Sequence, residues 1–110
     1  MRSSLRIAFL RQLYLGLKIV WPVLGGLLGA MAMLGSVVAV LEGWRLLDGL
    51  YYAFVTGLTI GYGDLVPRRI LTKALAVLIG FLGILLTGLV AAIAVEALRT
   101  VIADQNANRR

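Results

Sequence analysis

Polar and apolar positions along this chain fall into long blocks rather than a short-period alternation. Two runs carry no charge at all: 19–41, bounded by Lys18 and Glu42, and 74–95, bounded by Lys73 and Glu96. They hold 23 and 22 residues, and about 20 suffice to cross the hydrocarbon core as a helix. The pattern predicts two transmembrane helices, over about 19–42 and about 69–101. Upstream, Leu5, Phe9, Leu13 and Leu17 recur at i, i+4 with Arg11 and Lys18 on the other face. Residues 1–18 therefore read as a basic N-terminal helix, lying on the membrane surface or continuing the first span. Arg6 falls on the apolar side and weakens the first of these. Pro22 suits the first turn of the span, where its missing N–H costs nothing. Residues 104–110 form a short tail.

Residues 43–67 fit neither a third span nor a soluble loop. Merging them into the first helix would bury Glu42, Arg45 and Asp48 at roughly 2.5–3.5 kcal/mol each. Yet 49–63 is free of charge, and a run of that length reads as re-entrant or buried. A half-helix over about 46–58 followed by an extended return at 59–63 fits best, with Asp48 complementing the helix N-terminus. The return reads Thr59-Ile60-Gly61-Tyr62-Gly63-Asp64. Non-helical backbone at membrane depth is tolerated only where protein buries it or water lines it. Glycine at 61 and 63 admits φ > 0 without a Cβ penalty. Alternation with Ile60 and Tyr62 then lets successive carbonyls point one way, forming an ion-dehydrating surface.

Composition narrows the class. The chain has 110 residues, 61% hydrophobic and 15% charged, with mean hydropathy +0.96; that is a membrane protein, not a soluble domain. The first run is too long for the apolar core of a signal peptide, and no small-residue cleavage site follows it. There is no cysteine or histidine, hence no disulfide, thiolate metal site or ordinary neutral-pH switch. No phosphate loop, metal-ligand cluster or catalytic triad appears, which leaves an enzyme reading without support. Internal repeats and an Arg-every-third-residue voltage sensor are also missing. The net charge of +6 matters for its placement, and implies no nucleic-acid partner. Seven basic residues lie at the two ends and four between the runs. Both termini are thereby expected on the cytoplasmic side, most naturally of the cell membrane. Trp21 and Trp44 bracket the first span as interfacial aromatics.

Residues 59–64 resemble the potassium-channel selectivity filter, Thr-Val-Gly-Tyr-Gly-Asp, with Ile60 in place of the commoner valine; this motif is a standard example of carbonyl-based selectivity. The likeness extends over residues 20–100 and is most specific in 51–67, where Thr56 completes the family's Thr-x-x-Thr lead-in. It implies an all-α membrane protein in which two transmembrane helices flank a re-entrant pore helix and filter, assembled as a homotetramer in the lipid bilayer. One loop supplies a quarter of a carbonyl ring, so closure needs four copies about an axis. By the same resemblance, Thr59, Ile60, Gly61 and Tyr62 bind K+, with Gly63 at the outer mouth. Tyr51 and Tyr52 hold positions whose aromatics brace the filter's Asp and Tyr; ordinary interfacial tyrosines are the alternative. Val55 replaces a glutamate that pairs with the Asp in one branch, which leaves Tyr51 as the expected partner of Asp64. Gly83 falls at the gating-hinge spacing, with Gly80 and Gly88 as alternatives and helix packing as the plainer explanation. Packing is also the expected role of Gly25 and Gly29. Ile84, Thr87 and Ala91 line the cavity, and Val66 faces the axis at the outer mouth. Glu96 lies near the inner mouth, or else pairs with Arg99 at i+3. The permeant ion is K+; no cofactor is implied.

Three functions compete. The first is a potassium-selective channel subunit conducting passively. The second is a non-selective cation channel on the same scaffold, against which Tyr62 and Gly63 are both intact. The third is a non-conducting scaffold or regulatory subunit of a transporter; related potassium transporters fuse four such units with degraded filters, whereas this sequence has one intact unit. Within it the tail leaves no room for a cytoplasmic ligand-binding domain, and the gating stimulus is not encoded legibly.

Overall fold

The computed structural model describes residues 2–109, the side chain of Arg2 excepted; Met1 and Arg110, the outermost residues of the predicted N-terminal helix and tail, lie outside them. Three helices appear in order: α1 (Arg2–Glu42), α2 (Leu46–Gly57) and α3 (Ile70–Arg109). At 1.5 Å per residue, the 41 residues of α1 and 40 of α3 each make about 60 Å of helix, twice the hydrocarbon thickness. Both helices pass the length and hydropathy requirements for crossing a membrane.

Two boundaries differ from those drawn on charge. No break separates residues 1–18 from the span, and Pro22 lies inside α1 rather than in a first turn. A proline there removes a single donor, the one that would reach the Lys18 carbonyl, and opposes the helix locally. Apolar helix formers on both sides outweigh it. At the other end, α3 runs past 101 to Arg109 because residues 102–109 contain neither glycine nor proline.

The ends of α1 and α2 share one device. Gly43 has φ +75°, and the Trp44 N–H donates to the Ala39 carbonyl at 2.8 Å. A left-handed residue just past the helix, followed by an N–H reaching back to the carbonyl five residues earlier, is the Schellman termination. Glycine suits it because no Cβ opposes that φ. The same arrangement closes α2, with a different residue in the left-handed position.

Two compact units can be recognised, residues 23–87 and residues 1–22 with 88–110. In the first, Val38, Tyr52, Ala53 and Ile79 form the core, flanked by Leu34, Trp44, Leu65, Leu75 and Ala76. Trp44 meets Tyr52 edge-on at 5.3 Å, a favoured aromatic geometry. Close backbone approach fixes α2 at both ends. A Cβ on Gly35 of α1 would meet the Gly49 carbonyl and lie 2.7 Å from the Ala53 Cβ; one on Gly49 would meet the Gly35 carbonyl. At the other end, a Cβ on Gly83 of α3 would strike the backbone of Gly57. In the second unit, Ile93, Ala97 and Val101 bury one stripe of α3, and Gly16 leaves room for the Ile93 side chain.

Candidate functional site

The segment after α2 begins with a residue in an unusual state. Thr59 has φ +63°, the sole positive-φ residue other than glycine among those described. A β-branched side chain in the left-handed region costs about 1–2 kcal/mol. Local hydrogen bonds show what offsets it. The Thr59 N–H donates to Thr56 O at 3.1 Å, and the Ile60 N–H to Val55 O at 2.9 Å. This is again the Schellman pattern, with Thr59 where Gly43 stands in α1. The Gly61 N–H adds a second bond to Val55 O at 3.2 Å, and the Thr59 hydroxyl donates to Leu58 O at 2.6 Å.

From there φ alternates in sign. Gly61 is at +57° and Gly63 at +81°, whereas Ile60 and Tyr62 are not positive. Alternating left- and right-handed backbone turns successive peptide planes so that like groups face one side. Among the described residues, no hydrogen bond is made to the carbonyls of residues 59–63. The segment is exposed on the single protomer, with Ile60 at 49% and Tyr62 at 69%. The carbonyls of residues 59–63 are thus contiguous and without a hydrogen-bond donor, on a segment exposed on the single protomer.

The Tyr51 phenol lies beside the Asp64 carboxylate. Partial desolvation first, and the Asp64 carboxylate second, hold the Tyr51 phenol above its ordinary pKa, so it is a neutral donor. Asp64 Oδ1 also accepts the Leu65 N–H at 3.1 Å, which tightens the turn out of the segment. Tyr52 is buried in the core, one helical turn before Thr56. Val55, in the position of the missing glutamate, is buried.

Residues 20–100 match the family model described as Ion channel. The chain belongs to the ion channel family. As a family member it is a membrane protein and a channel rather than an enzyme. Among similar proteins are Two-pore potassium channel 3 of Arabidopsis thaliana, 46% identical over 48 residues, covering 39% of this chain and 11% of that protein. Two pore potassium channel a of Oryza sativa subsp. japonica is 49% identical over 45 residues, 41% of this chain and 13% of that one. Potassium channel subfamily K member 5 of Homo sapiens is 46% identical over 48 residues, 44% of this chain and 9% of its own length. The match therefore spans roughly a tenth of these relatives (9–13%). No solved structure matches the chain.

Elsewhere in the channel chain, Ile84, Thr87 and Ala91 are exposed on α3 while Gly83 is buried. Gly83 has a packing reason to be glycine in its contact with Gly57; Gly80 and Gly88 have none, since a Cβ there meets nothing within 4 Å. The same holds for Gly25 and Gly29, so their expected packing partner is not within the protomer. Glu96 and Arg99 form an i, i+3 ion pair at 3.9 Å, both well exposed, a geometry worth little in stability. Val66 is exposed at 60% beside Asp64 and Leu65 in a cleft that also includes Glu42 and Trp44.

Glu42 is the residue that sequence reasoning undervalued, since it had only marked the end of a span. Its Oε1 accepts the N–H of Arg68 at 2.8 Å, the N–H of Arg69 at 3.0 Å and the hydroxyl of Thr72 at 2.5 Å. Thr72 is fully buried and also reaches Arg69 O at 2.9 Å. A carboxylate at the end of α1 thereby caps the start of α3. No signal in the intervening sequence indicates this pairing.

Proposed function

We propose that this chain is the pore-forming subunit of a potassium-selective channel in which four copies surround one conduction path. The carrying observation is the unpaired run of carbonyls at 59–63 on a backbone whose φ alternates in sign. Such groups can replace an ion's hydration shell at several successive sites, and adjacent ions then repel one another onward. Thr59, Ile60, Gly61 and Tyr62 supply the sites; Tyr51 and Asp64 brace them from behind. The C-terminus of α2 adds its partial negative charge near the inner end of the segment, favouring a cation. The exposure of Tyr62 and Ile60 on one protomer supports assembly, because much of each is left uncovered by its own chain. A closed ring from one loop per chain calls for a cyclic oligomer, and the filter resemblance sets its number at four. Ile84, Thr87 and Ala91 face the path on the inner side, and both termini lie in the cytoplasm by the distribution of basic residues.

The test is electrical. Purified protein in planar bilayers under a potassium–sodium gradient is expected to reverse near the potassium equilibrium potential. Replacing Tyr62 by Asp should move the reversal toward zero while cross-linking still yields a tetramer. A wild-type reversal potential that does not distinguish the two ions would overturn potassium selectivity. A cross-linked species other than the tetramer would overturn the assembly.

A further inference from the structure

One concave patch lies on the N-terminal half of α1, outside residues 59–63. Tyr14, Leu17, Lys18 and Trp21 line a shallow hollow of about 370 Å³ on α1. Positions 14, 18 and 21 follow i, i+4, i+7 and so fall along one stripe of the helix. All three side chains are exposed. Lys18 has no ion pair, and among the described residues the single such pair is Glu96–Arg99. Residues 2–18 contain four basic side chains and no acid. Lys18 is also the last charge before the 19–41 run, which places it at headgroup depth. Trp and Tyr favour that depth, and a lysine there lays its stem on apolar surface while its ammonium stays in the polar layer.

We infer that this hollow binds an anionic phospholipid of the leaflet nearer the N-terminus. The Lys18 ammonium meets the lipid phosphate and the Tyr14 hydroxyl donates to the headgroup. Leu17 and the Trp21 ring take the first part of an acyl chain. Charge complementarity selects this occupant over a zwitterionic lipid, since no carboxylate lines the hollow to pair with a choline. Arg11 continues the stripe, but it shares a separate groove with Asp104, which leaves Lys18 as the principal cation. The inference rests on membrane insertion and not on conduction, so it can fail or hold independently of the proposed channel activity.

The experiment uses full-length protein in phosphatidylcholine vesicles carrying a small fraction of brominated phosphatidylglycerol or brominated phosphatidylcholine. Quenching of Trp21 is taken as the difference between wild type and Trp21→Phe. Brominated phosphatidylglycerol is expected to associate about five-fold more strongly, the factor that one basic residue near a membrane surface provides. Lys18→Gln should erase that preference and Lys18→Arg should keep it. Arg6→Gln, off the stripe, should leave it unchanged. Equal quenching by the two lipids would overturn the inference. Equal loss in Lys18→Gln and Arg6→Gln would also overturn it, showing diffuse attraction rather than a site. Quenching by neither lipid would mean that another protomer covers Trp21, and that too would overturn it.

Discussion

Removing the Glu42 carboxylate is the sharpest test of how the end of α1 is joined to the start of α3. Glu42→Ala deletes an acceptor that serves two backbone N–H groups and one hydroxyl. The two N–H bonds are exposed, so water can replace the lost partner and each is taken near the low end for a charged acceptor, about 1–1.5 kcal/mol. Loss of negative charge at the start of α3 adds about 0.3–1 kcal/mol. Thr72 can turn its single hydroxyl proton to Arg69 O, 2.9 Å away, and adds little. The expected destabilisation is about 2–4 kcal/mol. Glu42→Gln retains an oxygen but not the charge, and should cost about half as much. Thr72→Val should cost about 1 kcal/mol, with a coupling to Glu42→Gln of about 0.5–1.5 kcal/mol in a double-mutant cycle. Denaturant unfolding in micelles measures these differences, and amide exchange at Arg68 and Arg69 reports the bonds directly. Glu42→Ala within about 0.5 kcal/mol of wild type, with unchanged exchange at both amides, would refute the capping argument.

Gly83→Ala should destabilise the fold by about 1–3 kcal/mol, because its methyl meets the Gly57 backbone, whereas Gly88→Ala should be neutral or stabilising by up to about 1 kcal/mol. Thermal unfolding decides; a stable Gly83→Ala with altered gating would point to a hinge instead. Tyr51→Phe removes the hydroxyl beside Asp64 with little change in volume, and single-channel records should show faster inactivation or lower open probability. Val66→Tyr should strengthen external tetraethylammonium block about ten-fold if the new rings contribute about 1.4 kcal/mol. Identical block curves for Val66→Tyr and wild type would place residue 66 off the axis.

Local chemistry was legible in the sequence where it is decided within a few residues. The short helix expected over 46–58 is α2, residues 46–57, and the glycines chosen for positive φ, Gly61 and Gly63, adopt it. Thr59 was not legible in this way. Propensity argues against a left-handed β-branched residue, and the bonds that hold it there arise only once α2 has formed. The Glu42 cap joins positions 26 to 30 residues apart, and nothing in the spacing announces it. The glycine pattern did not point to the intramolecular crossings: Gly25-x-x-x-Gly29 meets nothing within the chain, while the close crossings use Gly35 with Gly49 and Gly57 with Gly83. Those pairs lie on different helices and share no sequence period. The continuity of α1 through Pro22 was an open alternative, since a charge boundary and a helix boundary need not coincide.

The termination of α2 also bears on which sign of charge the segment after it can accept. The amide hydrogens of Thr59, Ile60 and Gly61 all point back to carbonyls of α2, and the Thr59 hydroxyl proton is given to Leu58 O. Every donor at the start of this segment is therefore engaged, while the acceptors beside them are not. An anion entering there would find no hydrogen to bind, and freeing one would break the helix end. Exclusion of chloride would then come from the backbone's own bonding and needs no acidic side chain. It should persist when the exposed acids nearby are neutralised.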